Sequence, residues 1–228
     1  IACEKGKHII VCIDEFQTIK DYDESYAFQC SLRAHWQKHQ DVAYCLFGSK
    51  RNMMIDLFAE PQNPFYKFGD LIFLQKISEE DWVKFIVERF GETGKYISDK
   101  VALKIAQMVE CHPYYVQQLS QLSWFRTHME CTEDIVTESF FSLCAQLSLV
   151  FSHIIDGLTP SQIGFLQAVA DGVTSFTSQT VLTKYRLGSS ANVKNIKQAL
   201  EKKELIDIQP GRIEIQDPVF KFWMLREY

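Results

Sequence analysis

Hydrophobic positions change their period along this chain, and the change divides it. Residues 9–13 read I-I-V-C-I, an unbroken apolar run that stops at two adjacent carboxylates, Asp14 and Glu15. A second unbroken run, V-A-Y-C-L-F at 42–47, stops at Gly48-Ser49. Continuous runs of this length, without alternation, are the pattern of strands buried on both faces of a parallel sheet. Between them, 25–39 carries Tyr26, Leu32 and Trp36 among its apolar positions and predicts an amphipathic helix. A short helix is predicted at 52–58, a Pro- and Asn-containing loop at 60–64, and a third strand at 71–74, L-I-F-L. Strand, helix, strand, helix, strand is the order of an α/β sheet with crossover connections.

From residue 78 the pattern turns helical. Ser78 is placed to cap a helix whose first turn holds Glu79, Glu80 and Asp81, where the helix dipole favours acids. Trp82, Val83, Phe85, Ile86 and Phe90 form its apolar face. Ser98 starts a second helix, Pro113 a third, and Thr132 caps a fourth, with Val136, Phe140, Leu143, Leu147, Val150 and Ile154 along one stripe. Thr159, Pro160 and Gln162 have the spacing of a capping box with proline at the first helical position. Helices follow to 170, near 179–185 and over 190–203. The runs 205–209 and 212–216 bracket Pro210-Gly211, a two-residue hairpin turn. Helix, helix, helix, hairpin is the outline of a winged helix, a helix-turn-helix variant. The expected organisation is α/β plus all-α: a partial sheet at 1–77, a helical lid at 78–156 and a winged helix at 157–228.

Charge and cysteine usage narrow the classes. The net charge of −5 excludes a chain that binds polyanions through its overall charge and leaves room for a local basic patch. No run of 18 or more apolar residues and no signal peptide are present, so no membrane span is expected. The 7 cysteines are scattered without a C-x-x-C pair, which is reduced, cytoplasmic usage rather than a disulfide framework or zinc site. Cys12 and Cys45 fall inside the apolar runs, where cysteine acts as a small hydrophobe. His35 and His39 have i,i+4 spacing on the first helix, with no third ligand to make a metal site. The first residue is Ile, and the chain enters almost at once into a core strand, which suggests a piece of a longer polypeptide.

Two carboxylates at the C-terminal end of a buried strand stand where open α/β sheets place their ligands. An ordinary strand ending in a solvated Asp-Glu turn has the same pattern, so both readings stay open on these residues alone. The wider combination carries more. "IVCIDEFQ", a second strand ending "LFGSK", a helical segment with "HPYYVQQL" and a hairpin segment ending "IQDPVFKFWM" resemble, in this order and over essentially the whole chain, the AAA+/STAND group of prokaryotic, archaeal-type ATPases.

The resemblance implies an ATP-dependent molecular switch using ATP and Mg²⁺. It makes Asp14 and Glu15 the Walker B pair, with Asp14 linked to Mg²⁺ through water and Glu15 as the catalytic acid that polarises water. Ser49 would be the sensor 1 residue and Arg51 an arginine that related proteins often carry. His112 and Pro113 match an element near the adenine, although Cys111 stands where that element has Gly. The winged helix would meet DNA through Lys194, Lys197 and Arg212, or act as an intramolecular brake. Protein partners and self-association are further expectations of the group. One element is missing: no G-x-x-x-x-G-K-[ST] occurs in these residues. The nearest stretch, Gly91-Glu92-Thr93-Gly94-Lys95-Tyr96, has the wrong glycine spacing and reads as an inter-helix turn. A phosphate loop is therefore expected upstream of Ile1, and the chain by itself is expected not to hydrolyse ATP. The alternative is a non-catalytic winged-helix module for DNA or protein interaction.

Overall fold

A computed structural model describes residues 7–209 and 211–227. The chain divides after Leu74 into two compact units.

In the first unit, β1 (Ile9–Ile13) and β2 (Val42–Leu46) pair in parallel, in register from Ile9 opposite Val42 to Ile13 opposite Leu46. A 3₁₀ turn (Phe16–Asp21) and α1 (Ser25–Trp36) make the crossover, and α2 (Arg51–Ala59) follows β2. Their apolar side chains close one face: Phe16, Ile19, Leu57, Phe58 and Phe65 are buried, with Trp36 and Phe68 against them. The packing is aromatic, with Phe16 edge-on to Phe65 at 5.4 Å and Trp36 stacked on Tyr44 at 4.3 Å. The opposite face of the pair is open. Ile10 is 71% exposed, and Cys12 and Cys45, which face each other across the register, are exposed too.

This corrects three expectations. The two runs are not buried on both faces, because helices cover only one side of the strand pair. Cys12 and Cys45 are not buried hydrophobes. Residues 71–74 form no strand, and Ile72 and Leu74 are 82% and 92% exposed. An isolated apolar run can hold a strand only by pairing its N–H and C=O groups, and among the described residues 71–74 pair with neither β1 nor β2.

The second unit is helical. Ser78 accepts from Asp81 N to open α3 (Glu79–Glu92), Ser98 accepts from Val101 N to open α4 (Asp99–Met108), and Thr132 accepts from Ile135 N to open α6 (Glu133–Asp156). Proline at the first turn opens α5 (Pro113–Arg126). A parallel bridge too short to show a period, β3 (Tyr96–Ile97) with β4 (Glu130–Cys131), joins two of the connections. α6 is long and apolar enough to cross a bilayer by length and composition, but Val136, Phe140, Leu143, Phe151 and Ile155 bury its stripe in the unit's core. Val150, expected on that stripe, is 55% exposed: Phe151 takes the inward place.

The capping box at Thr159 is formed in both directions and opens α7 (Pro160–Ala170). α8 (Gln179–Lys184), α9 (Ser190–Lys202), the antiparallel pair β5 (Ile206–Gln209) and β6 (Arg212–Ile215), and α10 (Pro218–Glu227) complete the unit. Gly211 sits at φ +78° in the hairpin turn, as such turns require; Pro210 lies outside the described residues. Gly164 has a different reason. A Cβ there would stand 1.9 Å from the Tyr185 carbonyl oxygen, so α7 and the end of α8 meet only because residue 164 has no side chain. Residues 78–156 and 157–227, expected as separate domains, share one continuous core, from Trp82 and Ile105 through Phe140 and Phe151 to Phe165, Leu200 and Trp223.

Candidate functional site

The end of β1 is tied to the end of β2 by main-chain bonds: Phe47 N donates to Ile13 O and Phe16 N to Phe47 O, both at 3.0 Å. Asp14, Glu15 and Ser49 are therefore neighbours. Glu15 takes the left-handed conformation, φ 49°, which costs a residue with a Cβ on the order of 1–2 kcal/mol and directs the chain into the 3₁₀ turn. Its carboxylate accepts from the Ser49 hydroxyl at 3.2 Å and from the Gln17 side-chain amide. Asp14 accepts from Glu15 N at 2.8 Å through Oδ1.

Gln17 is the residue that pattern reading missed. Its side chain is fully buried, and its Oε1 has no partner among the described residues. A Cβ on residue 48 would lie 1.8 Å from that oxygen, so Gly48 makes room for the amide that holds Glu15. The signal was present as a buried amide two residues after Glu15 and a glycine between the apolar run and Ser49. Neither is interpretable until the strands are placed side by side.

The other expected site residues lie elsewhere. Arg51 begins α2 and lays its guanidinium over the Phe73 ring, 4.9 Å from the centroid, instead of on the carboxylates. His112 and Pro113 belong to the second unit, at the turn into α5. Glu110 and Cys111 are both left-handed there, φ 50° and 56°. The position where the related element has Gly thus keeps a glycine-like conformation with a cysteine in it. His112 caps no helical N–H; its Nδ1 is buried without a partner among the described residues, and its ring lies 5.0 Å from Tyr115. Burial lowers its pKa below the ordinary histidine value, and Lys76 adds to that while Asp217 opposes it. Gly94 turns the chain at φ +74°, and Lys95 caps the Trp124 carbonyl at 2.7 Å with its ammonium over the Trp124 ring, so 91–96 is a structural turn.

In the winged helix, α9 buries Val193, Ile196 and Leu200 and exposes Lys194. Lys197 does not face outward with it: its ammonium lies over Phe176, 5.0 Å from the centroid. Arg212 is exposed and paired with Glu214. The three expected phosphate-binding cations are not one exposed set. The contact to residues 78–156 runs through α10 and its cap instead. Asp217 caps α10 by accepting from Val219 N and Phe220 N at 2.8 Å and receives the Tyr115 hydroxyl, while Lys221 pairs with Glu110 at 2.8 Å. Burial first, then this bond to Asp217, raises the Tyr115 pKa.

A group of three His, Cys, Asp or Glu side chains able to cage a metal is absent among the described residues. The carboxylate of Asp14, bonded to Glu15 N through Oδ1 alone, fits the habit of Mg²⁺, which takes one or two carboxylates and fills its remaining positions with water and phosphate oxygens.

Comparison with known proteins bears on the fold. A family model described as a probable winged helix domain matches residues 149–226. No curated protein matches the chain in sequence. Among solved structures, the Walker-type ATPase of Pyrococcus abyssi aligns at a TM-score of 0.71 and 15% identity, over 98% of this chain and 65% of that one. The RuvB Holliday junction branch migration motor of Thermotoga maritima aligns at 0.48 and 13% identity, over 93% of this chain and 68% of that one. Orc1 of Aeropyrum pernix, solved in complex with DNA, aligns at 0.48 and 11% identity, over 96% and 64%. The chain thus has the fold of an archaeal-type Walker ATPase with a winged helix near its C-terminal end, and it spans about two thirds of that ATPase's length, 65%.

Proposed function

We propose that this chain carries the acidic half of an ATP site and is part of a nucleotide-driven switch. In this reading 1–77 is the nucleotide-binding core, 78–156 the lid and 157–228 the winged helix. The observation that carries it is the contact of Glu15 with Ser49 at 3.2 Å, at the C-terminal ends of two parallel neighbouring strands, within an ATPase-like fold. Asp14 would hold Mg²⁺ through water, and the ion when bound neutralises phosphate charge. Glu15 has one carboxylate oxygen on Ser49 and Gln17 and the other to orient and deprotonate a water. Ser49, bonded to that carboxylate, would report the state of the terminal phosphate to β2. Arg51, stacked on Phe73, has no place in this scheme. His112 and Pro113 remain candidates for contact with the base, supported by the unpartnered Nδ1.

The test needs the longer protein that supplies a phosphate loop. There Glu15→Gln keeps ATP binding and slows hydrolysis by two or more orders of magnitude, about 3 kcal/mol of transition-state stabilisation. Unchanged turnover removes the Walker B assignment, and a parent without any phosphate loop leaves the α/β unit as scaffold.

A second reading, a winged helix that binds DNA, is favoured by the exposure of Lys194 on α9. With Lys197 over Phe176 and Arg212 paired to Glu214, Lys194→Ala should flatten the salt dependence of duplex binding by about one unit, the share of one phosphate contact, and the other two cations should add little. No duplex binding at low salt rejects this reading.

A further inference from the structure

The second unit has a half-open cavity of about 440 Å³ whose lining does not include the carboxylate pair. It lies among the end of α7, the turn after it, α9 and the β5–β6 hairpin, with Glu110 and Lys221 at one side. Its size falls in the range of small-molecule sites. Val173, Phe176 and Ile213 supply apolar wall.

The charges lining it do not cancel. Arg212 is paired with Glu214, and Lys221 Nζ is 2.8 Å from Glu110 Oε1. Lys197 is the remaining cation, and among the described residues it has no carboxylate. What holds it is the aromatic pair Phe165 and Phe176, stacked at 4.6 Å, with its ammonium 6.0 Å and 5.0 Å from the two centroids. A cation–π contact positions an ammonium but does not neutralise it. A half-buried ammonium beside apolar wall, with both carboxylates that line the cavity already paired to other cations, favours an incoming anion.

We propose that this cavity binds a small organic anion: one carboxylate or phosphate group on an apolar body, the anionic head on Lys197 and the body along Val173, Phe176 and Ile213. The site explains why a lysine in the middle of α9 turns inward instead of joining Lys194 on the exposed face. Because Glu110 belongs to the turn that also carries Cys111 and His112, an occupied cavity would touch the lid and the winged helix together.

The probe is sodium 2-naphthoate, titrated into the ¹⁵N-labelled chain and followed by amide chemical shifts, with neutral 2-naphthamide in parallel. Saturable shifts centred on Val173, Lys197 and Ile213 are expected, with the amide binding at least about tenfold more weakly, as loss of one charge-assisted contact implies. Lys197→Met, which keeps the stem over the rings, should bring the acid down to the amide's affinity. Val173→Trp, which fills the cavity, should abolish both. Comparison with 1-naphthyl phosphate then identifies which head group the site prefers. Equal binding of acid and amide to the unaltered chain, shifts centred elsewhere, no saturation in the millimolar range, or undiminished binding by both variants would overturn the proposal.

Discussion

The two units use their apolar residues differently. In 7–74 a handful of aromatic side chains gathers on one side of a strand pair, and the other side, with Ile10, Cys12 and Cys45, faces solvent. In 75–227 one core runs from the first helix to the last, so that residues 78–156 and 157–227 bury their side chains in each other. A helix needs one covered stripe and a few neighbours supply it; a central strand needs cover on both faces and pairing on both edges. The first unit has the sequence of a sheet centre and the structure of a sheet edge. Burial is a property of the assembly: an unbroken apolar run says that both faces can be covered, and the neighbouring elements decide which face is.

The sharpest way to break this comparison is to damage the shared core. Phe220 is almost fully buried, against Phe151 at 5.3 Å and Trp223 at 6.2 Å. Phe220→Ala should cost about 3–5 kcal/mol in urea unfolding, and probes in α3 and α9 should report the same transition. Separate midpoints for the two probes would mean that 78–156 and 157–227 are independent after all.

A smaller effect is expected at the bond joining them. Tyr115→Phe removes the hydroxyl that reaches Asp217 and leaves Asp217 its two α10 amides, so the loss should be about 1.5–3 kcal/mol. A loss below about 0.5 kcal/mol would show that core burial alone makes the connection.

Acid should act on the second unit through His112. Burial lowers its folded-state pKa below the ordinary value, so the unfolded chain binds the proton more readily. The stability it contributes is fully present above the ordinary histidine pKa and is lost as pH falls through the folded value. The melting temperature should therefore drop between pH 7.5 and 5, and His112→Gln should reduce that drop; an identical pH profile in the variant would clear His112 of the effect.

The smallest expected change tests the open face. Ile10→Ser should alter stability by no more than about 0.5 kcal/mol, as at other exposed positions, because Ile10 is 71% exposed. A loss of several kcal/mol would show that something covers this face in solution.

Much of the helical unit was legible because its signals are local. Ser78, Ser98, Thr132 and the Thr159–Gln162 box each act within three residues of themselves, and all form as spaced. The parallel pairing of β1 with β2, and with it the approach of Ser49 to Glu15, was also readable from two apolar runs ending in polar residues. The helix α10 was less visible, although Asp217 before Pro218 is a cap followed by a proline at the helix start. β3 and β4 were invisible, since two residues have no period.

What the sequence determined by itself, then, is where helices begin, where the strands run and which residue types stand at the strand ends, because propensity, capping and turn chemistry are settled within a few residues of the chain. Tertiary structure alone decided which face of each run is covered, that Gln17 reaches Glu15 past Gly48, that Lys197 turns onto Phe165 and Phe176 while Lys194 stays outside, and that Tyr115 meets Asp217, 102 residues away. Those are contacts between segments distant in sequence, and their energies come from burial and shape that no local pattern encodes.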